Sequence, residues 1–419
     1  MAARSAEGRH AAGHKQCAEL TFKHNLHAGR HGWLRLTPAY SVRVVEELLA
    51  GLTSPVAVCD PFSGTATTPL CAAMHGHRAV ALEINPFLAW FGKVKVSHHD
   101  PDVLAATDDA GRHASHLASK AELVPATPPP IFNIERWWSR DRLEYLCRLK
   151  AAIDAVANER SSIRDLLNVA FCRTLIRLSN AAFNHQSMSF KTEAGIPQLQ
   201  LWDDDQGAMD CFGEDIALVL RGAALNPKGD ASVILGDARK TCDFVQGQFD
   251  LLITSPPYPN RMSYIRELRP YMYWLGYLQQ SREAGEMDWK AIGGTWGIAT
   301  SRLADWQRSS TAFFPNYLLD LLQTIATSDT KSGQILANYV GKYCEDMWQH
   351  FVSIRAAMKT GASLHYIVGN SKFYDVIVPV ERIYRDMLAE AGFKSPGIRT
   401  LRKRNSKKEL LEFEVFAHK

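Results

Sequence analysis

Several common signatures are missing from this 419-residue chain. No run of about 18 apolar residues occurs, so no helical membrane span is expected. Residues Met1 to Glu7 lack the apolar core of a secretory signal, and a cytoplasmic protein is expected. The eight cysteines contain no C-x-x-C pair, so they read as reduced, mostly buried thiols and not as a disulfide or zinc framework. His10, His14, His24, His27 and His31 match no standard ligand spacing, and no metal site is expected. A hydrophobic share of 46% with 22% charged residues is ordinary for a globular protein, and a net charge of +4 decides nothing about partners. Length alone suggests two or three folding units, and the polar residues 1–30 read as a mobile segment.

Two short stretches carry chemistry. The first begins with a buried-strand run, Val56 to Asp60, followed by Pro61-Phe62-Ser63-Gly64-Thr65-Ala66-Thr67-Thr68. A helical segment follows from Pro69 to His75, then a second strand from Arg78 that ends on Glu83, with Ile84 and Asn85 behind it. Strand, small-residue turn, helix, strand and acid is the wiring of a nucleotide-binding βαβ unit. The helix N-terminus offers unpaired N–H groups, and Glu83 stands nineteen residues after Gly64, near the spacing of a ribose-holding acid. Only Gly64 of a G-x-G-x-x-G turn is present and no Walker lysine follows, so neither nicotinamide nor ATP phosphates fit well. A tight turn with no ligand is the plain alternative.

The second stretch follows the apolar run Phe249 to Ile253: Thr254-Ser255-Pro256-Pro257-Tyr258. Two prolines cannot continue a central strand. The chain therefore leaves the sheet in a stiff turn bearing a hydroxyl, a carbonyl and an aromatic ring, tools for gripping a flat molecule with an amino group. Asp237 and Ala238 follow another strand (from Ser232), and the acid is placed to accept from an amine such as that of adenine. Between residues 100 and 230 the pattern turns helical after a Pro-rich link, with Arg142 to Ala157 and Ile163 to Ser179 as examples. Trp137 and Trp138, at the head of this block, read as core. A second insertion is expected at about 280–345. The chain closes on a hairpin with arms near Ile398–Arg404 and Leu410–Ala417, rich in cations.

Taken together these residues resemble the amino-group DNA methyltransferases, which use S-adenosylmethionine. Asp60 to Thr68 is similar to that family's cofactor loop, Thr254 to Tyr258 to its catalytic motif in the serine form of the cytosine-N4 branch, and Thr37-Pro38-Ala39 to the segment that closes over the methionine end of the cofactor. The resemblance covers roughly residues 30–96 and 230–419. It implies an α/β fold, Rossmann-like, with a mostly parallel seven-stranded sheet and a helical insertion. Residues 31–99 would form the cofactor part, 231–419 the catalytic part, and 100–230 a region that contacts DNA.

The implied catalytic residues are Ser255, Pro256, Pro257 and Tyr258. Those implied for S-adenosylmethionine are Thr37, Pro38, Ala39, Asp60, Pro61, Phe62, Ser63, Gly64, Thr65, Thr67, Thr68, Glu83, Ile84, Asn85, Asp237, Ala238 and Thr254. Duplex DNA is the implied partner, through Arg261, Arg266, Arg269, Arg402, Lys403, Arg404, Lys407 and Lys408, and a cognate restriction endonuclease is a further one. No Pro-Cys dipeptide occurs, against the covalent cysteine route of ring-carbon methylation. Two features depart from the pattern. Ala66 stands where the family has glycine, which touches cofactor affinity. The cofactor loop precedes the catalytic motif, an order that keeps adenine-N6 chemistry open. RNA amines and a non-catalytic nucleic-acid-binding role are the further alternatives.

Overall fold

Seven strands build one sheet: β1 (Ala57–Asp60), β2 (Arg78–Glu83), β3 (Ala231–Leu235), β4 (Phe249–Thr254), β5 (Met358–Gly369), β6 (Lys394–Lys403) and β7 (Leu411–His418). The computed structural model describes residues 18–36, 40–158, 161–182, 189–190, 205–245, 248–295, 298–404 and 409–419. In space the strands run β6-β7-β5-β4-β1-β2-β3. Ladders among β3, β2, β1, β4 and β5 are parallel, whereas β7 pairs antiparallel with both β5 and β6. The fold is therefore α/β and Rossmann-like, with a mostly parallel seven-stranded sheet, as expected for a methyltransferase fold. Val58, Cys59, Leu252 and Ile253 are fully buried, which is why these strands read as unbroken apolar runs.

From β1 the chain steps outward through β2 to β3, then returns to the other side of β1 as β4. Such a reversal opens a crevice beyond the carboxyl ends of the two strands, the place where open α/β sheets bind ligands. Both motifs sit there, because β1 ends at Asp60 and β4 at Thr254.

Helices cover both faces. α1 (Val42–Leu49) starts at Ser41, whose hydroxyl accepts from the Arg43 N–H, and it packs Val42, Val45 and Leu49 on Val58, Leu251 and Ile253. α2 (Thr67–Met74) follows the first motif. α3 (Pro86–Val96) follows β2 and begins where the Asn85 side chain accepts the Phe87 and Leu88 N–H groups. The helical block comprises α4 (Pro101–Ala118), α5 (Arg140–Val156), α6 (Ser162–Arg177) and α7 (Asp205–Ala223). It shares one hydrophobic core with α3 and with α8 (Tyr264–Trp274). α9 (Gly333–Ala357) and α10 (Val380–Glu390) belong to the core that covers the β4, β5 and β7 side chains.

α4 was not legible as a helix. Its sequence is rich in Asp, His and Ala, and its tightest contact depends on having no side chain: a Cβ on Gly111 would come 2.4 Å from Ile216 Cδ1. The core assignment of the tryptophans holds. Trp138 is fully buried, donates from Nε1 to the Leu175 carbonyl at 2.9 Å and meets Trp274 edge-on at 5.8 Å. The described cysteines are unpaired and all but Cys242 are buried, and among the described residues no helix is long and apolar enough to cross a membrane.

Trp138→Ala removes an indole that bridges α6 and α8. We expect it to lower the free energy of unfolding by about 3–5 kcal/mol, read as a fall in the urea midpoint.

Candidate active site

The two motifs are fastened to each other at the crevice floor. Thr254 Oγ1 donates to Asp60 Oδ1 at 2.6 Å, and the same oxygen accepts the Phe62 N–H at 3.1 Å. Thr68 donates to the Ile253 carbonyl at 3.1 Å and is joined to the Tyr40 hydroxyl. Burial pushes the Asp60 carboxyl up to about 6 against these hydrogen bonds. Asp60, Thr68 and Thr254 thus stand behind the cavity wall and shape it.

In the loop itself Gly64 has φ +51° and Ala66 φ +57°, both left-handed. The departure from glycine therefore does not prevent the turn. For an alanine this conformation costs roughly 1–2 kcal/mol. The Gly64 N–H donates to Glu83 Oε2 and the Asn85 N–H to Glu83 Oε1, each at 2.8 Å. Burial pushes Glu83 up to about 7, despite those two donors. Beneath the loop, Lys95 of α3 donates from Nζ to the Thr65 carbonyl at 2.5 Å.

A cavity of about 370 Å³ opens above these groups, within the range typical of small-molecule sites. Pro61, Phe62, Ser63, Gly64, Thr65, Thr67, Glu83, Ile84, Asn85, Asp237 and Ala238 line one part. Ser255, Pro256, Pro257 and Tyr258 line the other, with Asn260, Tyr264, Arg402, Arg404 and Glu412. Ser63 Oγ is buried with no hydrogen-bond partner among the described residues, and each Glu83 oxygen retains a lone pair. These groups fit a ligand with ribose hydroxyls. Asp237 is less open than the sequence suggested: both its oxygens accept from Arg239, at 2.7 to 3.1 Å. Against the effect of burial, that guanidinium holds the Asp237 carboxyl below its usual range. His350 lies behind Ala238, donating from Nδ1 to its carbonyl at 3.0 Å; burial lowers the imidazole to about 4, so it is neutral.

At the second motif, Ser255 Oγ donates to the Ile367 carbonyl at 3.0 Å and the Pro257 carbonyl accepts from Tyr343 at 2.9 Å. Tyr258 donates to Glu412 Oε1 at 3.0 Å, and burial raises its phenol well above the ordinary value. One face of its ring is covered by Arg404, 4.8 Å from the centroid, while Arg404 Nη1 donates to the Asn370 carbonyl at 2.8 Å. Gly369 makes room for this stack, since a Cβ there would lie 2.6 Å from Arg404 Nη1 and 2.9 Å from Tyr258 Cε2. Arg402 clasps Glu412 through Nε (2.6 Å) and Nη2 (3.1 Å).

Arg402 and Arg404, expected at a phosphate-facing hairpin edge, are thus engaged in the cavity wall. Lys403 is half-buried on the same strand, and Lys407 and Lys408 lie outside the described residues, as do Thr37, Pro38 and Ala39. Arg261 and Arg266 are exposed, Arg261 lying between the lining residues Asn260 and Met262. Arg269 is half-buried, donates from Nε to the Arg266 carbonyl at 3.2 Å, and burial lowers its guanidinium. Glu412, Tyr343 and Tyr40 were missed by sequence reasoning. The alternation of Glu412 and Glu414 with Phe413 and Val415 marks a strand with one charged face, but nothing local links Glu412 to a tyrosine 154 residues away.

No family model matches the chain. It is 20% identical over 423 residues to the type II methyltransferase M.BsoBI of Geobacillus stearothermophilus, an alignment covering 92% of this chain and 82% of that protein. The solved rRNA methyltransferase aviRa of Streptomyces viridochromogenes is similar at 11% identity with a TM-score of 0.29, over 91% of this chain and 86% of that one, a likeness too slight to argue from. The near-full-length alignment to M.BsoBI supports a methyltransferase.

Glu83 binds its proton more tightly in the folded chain than at its ordinary value of 4.5. Between that pH and about 7 the unfolded chain has released a proton that the folded chain keeps, so this group makes stability fall as pH rises. His350 acts in the opposite sense below its ordinary value of 6.5. The difference between wild type and Glu83→Gln isolates the first effect: urea unfolding across this window should show the wild type losing stability relative to the variant as pH rises.

Proposed function

We propose that this chain transfers a methyl group from S-adenosylmethionine to the exocyclic N4 amine of a cytosine flipped out of duplex DNA. The observation that carries the reading is the convergence of the Asp60–Thr68 loop, Glu83 and the Ser255–Tyr258 turn on one cavity. When bound, the cofactor supplies an electrophilic sulfonium methyl group. Ser63, the Gly64 loop, Glu83, Ile84, Asn85, Asp237 and Ala238 hold it, Glu83 as acceptor for ribose hydroxyls and Asp237 for the adenine amine.

The amine of a nucleobase is a poor nucleophile, because its lone pair is delocalised into the ring. Ser255 Oγ and the Pro256 carbonyl accept its two N–H groups and draw the nitrogen toward tetrahedral geometry. Transfer is then a direct displacement in which positioning is the main catalytic device. Tyr258 offers the ring face not covered by Arg404 to the base. Stacking of about 1–3 kcal/mol is comparable to the few kcal/mol needed to extrude a base. Arg261 and Arg266, exposed beside the cavity, suit phosphate contact, and the helical block at 100–230 and the stretch around 280–315 are the parts large enough to read a groove. A cytoplasmic setting and a cognate restriction endonuclease accompany this reading.

The test is to incubate the protein with labelled S-adenosylmethionine and mixed-sequence duplex DNA or transfer RNA, then digest to nucleosides. Label in N4-methyldeoxycytidine is the expected result. Label in methyladenosine would support the adenine reading that the motif order keeps open, and label in transfer RNA alone would move the substrate to RNA. Ser255→Ala should lower the rate of transfer about 10- to 100-fold while leaving cofactor binding unchanged, since it removes one acceptor at the reacting nitrogen.

A further inference from the structure

Helix α3 presents two residues to the cofactor loop that the chemistry above does not use. Lys95 is fully buried, and its ammonium meets the Thr65 carbonyl at 2.5 Å. No carboxylate is paired with it among the described residues; the charge that bears on it is that of Arg30, and burial with that cation lowers the ammonium to about 7. Arg30 in turn fixes the end of α3, donating to the Lys95 and Ser97 carbonyls at 2.8 and 2.5 Å. Burying a cation beside another cation costs stability, offset here by the hydrogen bond to Thr65 and by the Phe91 ring, 5.4 Å from Nζ.

Gly92 lies three residues earlier, on the same face of the helix. A Cβ there would come 3.3 Å from the Ala66 methyl and 3.1 Å from Val233 Cγ2. Glycine at 92 therefore spares this face of α3 a tight contact with Val233 and with the Ala66 methyl. The carbonyl that Lys95 holds belongs to Thr65, the residue between the two left-handed positions, Gly64 and Ala66. Alanine resists that conformation, so the loop needs an outside hold that a glycine would not.

We propose that Lys95 and Gly92 are positioning residues that let an alanine-bearing loop keep the shape of a cofactor loop: Gly92 admits the Ala66 methyl, and Lys95 ties the Thr65 carbonyl to α3. This inference rests on reading the loop as the S-adenosylmethionine site. It accounts for the alanine as half of a matched pair.

Two measurements on the full chain test it. S-adenosylmethionine is titrated calorimetrically into wild type, Lys95→Met and Lys95→Met/Ala66→Gly, and amide hydrogen exchange of residues 63–68 is followed in the same proteins without cofactor. Lys95→Met should weaken binding and speed loop exchange about tenfold each, with the urea midpoint little changed. Adding Ala66→Gly should bring both back to within about threefold of wild type, because glycine holds the left-handed turn unaided. Wild-type binding and exchange in Lys95→Met overturn the inference, as does a double variant no better than the single one. Should Lys95→Met fail to fold, Lys95→Leu, which likewise removes the donor, takes its place under the same criteria. A wild type that takes up no S-adenosylmethionine rejects the cofactor reading alone, and the exchange measurement still decides the role of Lys95.

Discussion

One hydrogen bond holds the two halves of the site in register: Thr254 Oγ1 to Asp60 Oδ1, between residues 194 positions apart. β1 and β4 are neighbours only because the chain doubles back across the sheet, and their carboxyl ends are where it does so. Asp60 and Thr254 are both buried, so this contact is shielded from water, where a hydrogen bond is strong and an unmade one costly. The loop after Asp60 and the turn after Thr254 diverge from a common anchor. Between them lies the cavity, and its width follows from the spacing of adjacent strands.

Around that anchor the acids are held in an unusual state. Asp60 and Glu83 are raised by burial while hydrogen bonds from the backbone and from Thr254 pull the other way. Asp237, which lines the cavity, is kept ionised by Arg239. The same crevice thus contains carboxyls of two kinds, distinguished by whether a cation is within reach.

How much of this could be read from the sequence depended on distance along the chain. Strands flanked by their own ligand loops were legible, since Val56 to Asp60 and Phe249 to Thr254 carry both the apolar run and the turn that ends it. Helix Pro101–Ala118 was not, because its packing relies on small residues and Gly111 in place of an apolar stripe. The terminal hairpin was legible as a hairpin, but the destination of its cations was not. Arg402 and Arg404 look like solvated charges until β7 is known to lie between β5 and β6, where Arg402 meets Glu412 and Arg404 meets Tyr258. Nothing local pointed Glu412 or Tyr343 to the site; each is defined by a partner that only the fold supplies.

The position of β7 has a consequence for the chain as it is made. β7 follows β5 and β6 along the chain yet is not an edge strand; it slots between them and brings Glu412 to the Tyr258 hydroxyl. Domains fold from their N-terminal side during synthesis. Until residues 411–418 emerge, β5 has an open edge, β6 has no partner, and the Tyr258 hydroxyl lacks its Glu412 acceptor. The loop end of the site can be finished early, whereas the Tyr258 end waits for residues 411–418. The two ends of the pocket are therefore completed at different stages of synthesis, the loop end ahead of the Tyr258 end.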